Sequence, residues 1–461
     1  MKYLFIIVLV LSIIICVLIG CSPYVLYLPS RDEQVNQSES IDLNKTIKVF
    51  ENLKTASSDA NNINIVMMNG PEADSAKELA EEFEKIYGIK ATIYDAGWGE
   101  IKKNIATPLS GIGFDVFPID IIVFPGYSMG EIQRYLKDLD TYIEKDNLDL
   151  ADLFPDIFQT VAKWKGSIKA LPLSYSINTV IYREDLLEEN NIAVKNDWSQ
   201  KEYYEYIEKL GSDGRYKILL DPLKLNIYWL NRFINLGGKT ATGNWEVTVD
   251  NEYGYKSLDM LKSFIKYSPE DILQKQYNEI VMDFVKGDFI FFEDTPDFLF
   301  TNHEEIADSG NYDNIGILPA PSGPGGNFTI LESKLIGITK NSDKADKAWN
   351  WVKYYIDSER SAMLLDKYGI LPARISAYEN NELNDKYIFL EEVYKLLKEA
   401  NFKTRWNIQG SYEIFEVMLN DKLNNGISEN SNSADTMKEI ESEWKEILRL
   451  KPPSPDIKNL E

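Results

Sequence analysis

A chain of 461 residues is longer than one ordinary folding core and predicts two or three domains. Its 73 acidic and 49 basic residues leave a net charge of −24, which disfavours contact with phosphate backbones, so we expect no nucleic-acid partner. The single histidine leaves almost no material for histidine-rich metal sites or for Ser-His and Cys-His catalysis, and we expect no metal, no other cofactor and no catalytic residue.

The chain begins with an apolar segment. Leu4 to Gly20 follows the positive Met1-Lys2 and has about the length of a signal-peptide core, although a marginal transmembrane anchor has a similar length. The motif Leu18-Ile19-Gly20-Cys21 resembles the lipobox of bacterial lipoproteins. That resemblance implies that residues 1–20 are a lipoprotein signal peptide and that the sulfur of Cys21 carries a lipid. With either type of anchor, we expect the body to be held at the extracellular face of the cell membrane.

A polar stretch separates this segment from the first regular pattern. Residues 21–61 include "SRDEQVNQSES" and show no apolar period, which predicts a flexible tether that lets a globular body work clear of the membrane. We expect residues 451–461 to form a short tail.

Strand and helix patterns alternate from Ile63 onward. The stretch "INIVMMNG" predicts a buried strand that ends at Asn69-Gly70-Pro71. A helix follows, with Gly88 placed to cap it and with an apolar face made of Leu79, Phe83, Ile86 and Tyr87. "IKATIY" and "IDIIVF" predict two further strands. Strand, helix and strand within about thirty residues indicate a βαβ unit and a mainly parallel sheet.

A second region repeats these patterns with more helix. It contains the strand pattern "LPLSYSINTVIY", helical patterns at 200–210 and around "YKSLDMLKSFI", and the strand "NIGILP", which leads into a Pro/Gly-rich connection at 319–326. "KLIGIT" predicts one more strand, and a helix beginning near Ala345 would have Ser342 as its N-cap.

The order of these segments resembles that of extracellular solute-binding proteins of the maltose-binding type, the ligand-capturing part of sugar ABC importers. The stretches that carry the resemblance are "LAEEFEKIYGIKATIYDAG", "WKGSIKALPLSYSINTVIYREDLLEENNI", "NIGILPAPSGPGG" and "LIGITKNSDKADKAWNWVKYYIDSERSAMLLDKYGILPAR". The resemblance implies a two-lobed α/β fold of the periplasmic-binding-protein type II class, with a hinge of crossing segments. It places lobe one at 62–127 and 327–398, and lobe two at 128–326 and 399–450.

Candidate ligand contacts come from the ends of the predicted strands, because ligands of open α/β sheets bind beyond the carboxyl ends of the strands. Aromatic rings supply faces for sugar rings, while carboxylates and amides pair with hydroxyl groups. Strand ends, together with positions where the family places binding residues, select the following set: Asn69, Trp98, Tyr127, Tyr175, Trp229, Asp294, Glu332 and Trp406. Adjacent carboxylates usually point apart, and for Glu293-Asp294 the default expectation is a solvated surface.

The resemblance implies a monomer that captures a carbohydrate, more specifically an oligosaccharide, and delivers it to the permease subunits of an importer. Two alternatives remain open from the residues alone. The acidic surface also suits a polyamine or another cationic solute. An anchored glycoside hydrolase would need only two carboxylates, although no pair stands at a suggestive position.

Overall fold

The computed structural model describes residues 59–98, 101, 119–195, 198–211, 217–242, 246–287, 289–404 and 412–450. The predicted signal peptide, nearly all of the tether and the tail lie outside these residues, as do Cys21 and Trp406. Within the described part of the chain, no helix is both long enough and apolar enough to cross a membrane.

Twelve strands are present in the described residues. Their bounds are β1 Asn62–Met68, β2 Lys90–Ala96, β3 Ile121–Pro125, β4 Lys163–Trp164, β5 Ser167–Ile168, β6 Leu171–Ile177, β7 Thr179–Arg183, β8 Lys217–Leu220, β9 Phe289–Asp294, β10 Ile315–Pro319, β11 Phe328–Ile338 and β12 Asn401–Thr404.

Helices lie between and after these strands. Their bounds are α1 Pro71–Tyr87, α2 Met129–Ile132, α3 Asp140–Asp146, α4 Pro155–Val161, α5 Glu184–Glu189, α6 Gln200–Gly211, α7 Leu225–Leu236, α8 Glu252–Ile265, α9 Tyr277–Lys286, α10 Asp297–Thr301, α11 His303–Asp308, α12 Ala345–Tyr355, α13 Ser358–Tyr368, α14 Ile375–Tyr378, α15 Asn381–Lys386, α16 Leu390–Glu399, α17 Tyr412–Ser428 and α18 Ser433–Leu450.

The strands form two main sheets. The first has the order β12-β11-β3-β1-β2, with β6 also paired to β11, and the second has the order β10-β7-β9-β8. β1 is parallel to both β2 and β3, as the βαβ pattern predicted, and β8 is parallel to β9. Only Asn178 separates β6 in the first sheet from β7 in the second, and residues 320–327 connect β10 to β11. The chain therefore crosses between the sheets at these two places.

The local patterns of the first βαβ unit are largely confirmed. Gly88 ends α1 in the left-handed region at φ 64°, the conformation in which glycine is least strained. Leu79 and Phe83 are buried, but Ile86 and Tyr87 are 56% and 41% exposed, so the predicted apolar face is too wide at its carboxyl end. Those two residues lie in the last turn of α1, where Tyr87 meets the ring of Tyr354 from α12 edge-on, with ring centroids 6.1 Å apart.

The predicted N-cap at Ser342 is wrong. The helix begins at Ala345, and Lys344 occupies the N-cap position without a side-chain hydrogen bond. The Ser342 hydroxyl instead donates to Asp120 Oδ1 at 2.5 Å and accepts the Lys344 backbone N–H at 3.1 Å. The Ser342 hydroxyl thus bonds the buried Asp120 carboxylate instead of serving as the N-cap that the local sequence predicts.

Two hydrophobic cores accompany the two sheets. In the first, Phe83 of α1 meets Trp351 of α12 edge-on, with ring centroids 5.0 Å apart. In the second, α7 is buried along nearly its whole length, and α17 and α18 add Leu419, Leu423 and Trp444 to the same cluster. Fully burying a large apolar side chain is worth about 1.5–3 kcal/mol, so each sheet holds its own layer of helices in place.

Candidate functional site

The carboxyl ends of strands from both sheets meet beside the first crossing. In the first sheet, Lys334 of β11 pairs with Pro125, the last residue of β3. In the second sheet, Asp294 ends β9 and pairs with Thr179, the residue directly after the crossing. Ser176, two residues before the crossing, pairs with Glu332 of β11. Polar residues from both sheets are therefore brought to one place by backbone pairing.

The most buried charge at this place is the carboxylate of Asp294, which has no exposed surface. Lys224 Nζ lies 2.5 Å from Asp294 Oδ1, and the Tyr277 hydroxyl donates to Asp294 Oδ2 at 2.7 Å. The Lys224 ammonium also lies 5.0 Å from the centre of the Tyr277 ring, within the range of a cation–π contact. The Lys224 ammonium balances the charge of the Asp294 carboxylate, and the Tyr277 hydroxyl gives its second oxygen a hydrogen bond.

The electrostatics of Lys224 follow from its neighbours. Burial on its own lowers the pKa of Lys224, but Asp294 and Asp221 outweigh it, so the pKa is raised above its usual value. Burial raises the pKa of Asp221 against the opposing effect of Lys224. Burial and the negative charge of Asp294 raise the pKa of Tyr277 well above 10, so that its hydroxyl keeps its proton. At neutral pH the site thus contains a cation and a hydroxyl donor in fixed positions.

Two further contacts involve residues of the first sheet. The Ser176 hydroxyl of β6 donates to Asp297 Oδ2 at the start of α10, and Lys334 of β11 forms an ion pair with Glu72 in the first turn of α1. Burial raises the pKa of Asp297, and the Ser176 hydrogen bond partly opposes this. Glu332 is half-buried on β11, and its charge contributes to the raised pKa of Lys224.

We call this group the cleft cluster. Its members are Glu72, Ser176, Lys224, Tyr277, Asp294, Asp297, Glu332 and Lys334. It offers ammonium and hydroxyl donors and carboxylate acceptors from both sheets, the groups that orient a polyhydroxylated ligand. Among the residues that the structure describes, no three His, Cys, Asp or Glu side chains converge in the way that a metal ion requires.

Several predicted ligand contacts lie at or near this edge. Asp294 and Glu332 belong to the cleft cluster, and Asn69 is exposed just beyond β1. Tyr127 follows β3 in the turn Gly126–Ser128, where its half-buried ring packs against the core of the second sheet. Trp98 follows β2 and is 8% exposed, so its indole faces are covered in this structure. Contact of these five side chains with a ligand stays a prediction.

Two of the predicted aromatic contacts are buried in the cores in this structure, and their contact with a ligand stays a prediction. Trp229 has no exposed surface: it stacks on Phe233 with ring centroids 4.7 Å apart, and its Nε1 donates to the Gly254 carbonyl at 3.3 Å. Tyr175 is 1% exposed and meets Phe154 edge-on in the core beside the first sheet. Successive strand residues point to opposite faces of a sheet, so Ser176, next to Tyr175 in β6, points towards Asp297 while Tyr175 points into the core.

The expectation of a solvated Glu293-Asp294 pair is also wrong. Glu293 is 4% exposed and accepts two hydrogen bonds from Arg232, at 2.9 Å from Nη1 and at 2.8 Å from Nη2. The two carboxylates do point apart, because neighbouring residues of β9 face opposite sides of the sheet. Each carboxylate is buried with a separate cation.

Sequence reasoning missed Lys224, Tyr277, Ser176 and Asp297. Three of them had a readable signal, two by their place after a strand: Lys224 comes four residues after the end of β8, and Asp297 opens the helix that follows β9. Ser176 follows from the two-residue period of β6. Tyr277 had no local signal, because α9 lies before β9 and reaches Asp294 only through tertiary packing.

Comparison with known proteins assigns the chain to a family. A family model for bacterial extracellular solute-binding proteins matches residues 69–360, which is more than half of the 461 residues. The chain belongs to this family. The family prediction made from the sequence is confirmed. Strands β2 to β11 lie within the matched range, and β1 ends directly before it.

Solved solute-binding proteins share the fold. An ABC transporter solute-binding protein from Agrobacterium radiobacter K84, in complex with ribitol, is 20% identical, with a TM-score of 0.73 over 84% of this chain and 99% of that one. Maltose-bound MalE3 of T. maritima is 19% identical, with a TM-score of 0.70 over 84% of this chain and all of that one. Lmo0181 of Listeria monocytogenes, in complex with cycloalternan, is 20% identical, with a TM-score of 0.69 over 85% and 100% of the two chains. These matches confirm the predicted two-lobed α/β fold.

Proposed function

We propose that this solute-binding protein captures a carbohydrate in the cleft between its lobes and delivers it to the permease subunits of an ABC importer. A lipid on Cys21 would hold it at the extracellular face of the cell membrane, and it would act as a monomer. Ligand bound to both lobes favours the closed conformation by its differential affinity for that conformation. An oligosaccharide remains our more specific proposal for the ligand.

The cleft cluster is the observation that carries this proposal. Four of its charges are already paired, Lys224 with Asp294 and Lys334 with Glu72, so an incoming ligand meets polar groups of both signs. A neutral polyol suits such a surface, because each hydroxyl both donates and accepts hydrogen bonds. Hydrogen bonds to charged groups are worth about 1.5–3 kcal/mol each. The bound ribitol, maltose and cycloalternan of the structurally similar proteins support the same ligand class.

We also propose revised limits for the two lobes. The predicted boundary at 127/128 separates β6 from the sheet with which it pairs, since Leu331–Ile336 of β11 bond to β6. β12 likewise pairs with Phe328–Leu331 in the first sheet. We therefore place the crossings at Asn178, at residues 320–327 and after Thr404.

A cationic solute is the second candidate. Four carboxylates of the cleft cluster stand against two ammonium groups, and the whole chain carries a net charge of −24. A polyamine drawn by that excess would bind less tightly as salt screens the attraction, whereas a neutral sugar would respond weakly to ionic strength.

The experiment is a thermal-shift and calorimetric screen of sugars, polyols and polyamines at low and high salt. A ligand at a hundred times its Kd should add about 2.7 kcal/mol of stability. Asp294→Asn should weaken sugar binding by roughly tenfold or more, because the carboxylate that positions the Lys224 ammonium and the Tyr277 hydroxyl is lost. Asp313→Asn, the same change on an exposed turn, is the control. Stabilisation by polyamines alone, abolished by salt, would contradict the carbohydrate proposal and support the cationic one.

A further inference from the structure

A small cavity lies at the two crossings, apart from the cleft cluster. Its volume is about 20 Å³, and it is lined mainly by polar side chains of the second lobe. Asn178 of the first crossing and Ala320 of the second both face it, together with Asn231 and Arg232 of α7 and Gln200 at the start of α6. The cavity thus touches both segments on which the lobes must turn.

Three side-chain amide atoms at this cavity have no hydrogen-bond partner within the described residues: Asn178 Nδ2, Asn231 Oδ1 and Gln200 Oε1. Their residues are 3%, 5% and 5% exposed, so bulk water does not reach them. An unpartnered buried polar atom destabilises the folded state, because it has given up its hydrogen bonds to water. Three such atoms around one cavity therefore call for an occupant.

The remaining polar atoms of these three amide side chains form hydrogen bonds within the protein. Asn231 Nδ2 donates to Asn178 Oδ1, and Gln200 Nε2 donates to the Arg232 carbonyl at 3.3 Å. The adjacent ion pair of Arg232 and Glu293 is also complete. The open amide positions are consequently one donor and two acceptors, with no charge left to balance.

We infer that this cavity binds an ordered water molecule that accepts a hydrogen bond from Asn178 and donates to Asn231 and Gln200. The volume fits, since a water molecule requires roughly 10–15 Å³ measured in this way. Water is the occupant that matches the chemistry, because it donates and accepts at once and serves either orientation of the two amides. A metal cation would meet the Asn178 donor and the Arg232 guanidinium, and an anion would meet the two acceptors.

The water links the first crossing to the second. Gln200 is tied to the second crossing through its backbone, whose N–H donates to the Ser322 carbonyl at 2.7 Å. Asn178 is tied to β11 through its own N–H, which donates to the Ile330 carbonyl at 3.0 Å. A bridging water between these residues couples the two crossings and lets the amides keep their partners when the angle between the lobes changes.

Gln200→Met tests this inference on the full-length protein in detergent, because it removes the acceptor while keeping the length of the side chain. A high-resolution crystal structure of the unchanged protein should show a water peak within hydrogen-bonding distance of all three atoms, and the variant should lack it. Hydrogen exchange of the Asn178 and Ser322 amides should become about fivefold faster in the variant, the value of one neutral hydrogen bond. Gln159→Met, on the exposed side of α4, is the matched control.

Ala320→Val is a second variant, for use if Gln200→Met fails to fold. It fills the cavity without removing a polar group, and it should expel the water and speed exchange at the same amides. An empty cavity in the unchanged protein overturns the inference, as does direct pairing of the Asn178 and Asn231 amides through both of their ends. Exchange rates that match those of Gln159→Met overturn the link between the crossings. None of these readouts depends on which solute the cleft binds.

Discussion

The buried ion pair of Arg232 and Glu293 allows a quantitative test of how the second lobe is held together. Both side chains are nearly enclosed, at 5% and 6% exposure, and two parallel hydrogen bonds join them. Arg232→Met keeps most of the side-chain volume but leaves the Glu293 carboxylate without its cation. Breaking one side of a buried pair costs about 3–5 kcal/mol, and we expect a loss of that size in the free energy of unfolding.

The double variant Arg232→Met/Glu293→Leu gives the sharper expectation. It removes both charges, so no uncompensated carboxylate remains, and it should be more stable than Arg232→Met alone despite carrying one more substitution. Equilibrium urea denaturation of both variants and of the unchanged protein measures these differences.

Lys256→Met is the matched control, because Lys256 and Glu252 form an ion pair on the surface with side chains 61% and 67% exposed. That pair should contribute less than about 1 kcal/mol. A loss for Arg232→Met no larger than that of the control would refute the reasoning, and so would a double variant less stable than the single one.

Two other predictions concern local structure. Gly88 and Gly369 both end helices at φ near 65°, but a Cβ at Gly369 would lie 2.5 Å from the Thr301 backbone nitrogen, whereas at Gly88 it would meet nothing within 4 Å. Gly369→Ala should therefore destabilise the protein by clearly more than the roughly 1 kcal/mol expected for Gly88→Ala, and equal losses in urea denaturation would contradict the contact. The hydrogen bond from Lys195, and after it the hydrogen bonds from the backbone and hydroxyl of Ser199, lower the pKa of the Glu202 carboxyl to about 2. The stabilising contribution of Glu202 is therefore present above the usual pKa of a glutamate and disappears as the pH falls towards 2. Stability curves of the unchanged protein and of Glu202→Gln should converge over that acidic range, and curves that stay parallel would count against this assignment.

Local sequence was sufficient for the elements of the first βαβ unit. The apolar run of β1, the left-handed Gly88 and the alternation in β2 each depend on interactions within a few residues, and such interactions can be read from periodicity and turn chemistry. The order of the segments also predicted the two-lobed fold and the family, since each segment keeps its place along the chain.

Tertiary structure decided which polar side chains meet in the cleft. Asp294 was predicted as a contact, but its partner Lys224 lies 70 residues earlier in the chain, and the partners Ser176 and Asp297 are 121 residues apart. Periodicity carries no information about which distant side chains meet, and it cannot tell a buried tryptophan on a helix from one that faces a cleft. Trp229 went into the core because nearly every face of α7 is covered, by the helices that follow it and by the sheet. Sequence alone thus determined the elements of the first βαβ unit and the order of the segments, whereas long-range packing determined which polar side chains became the site.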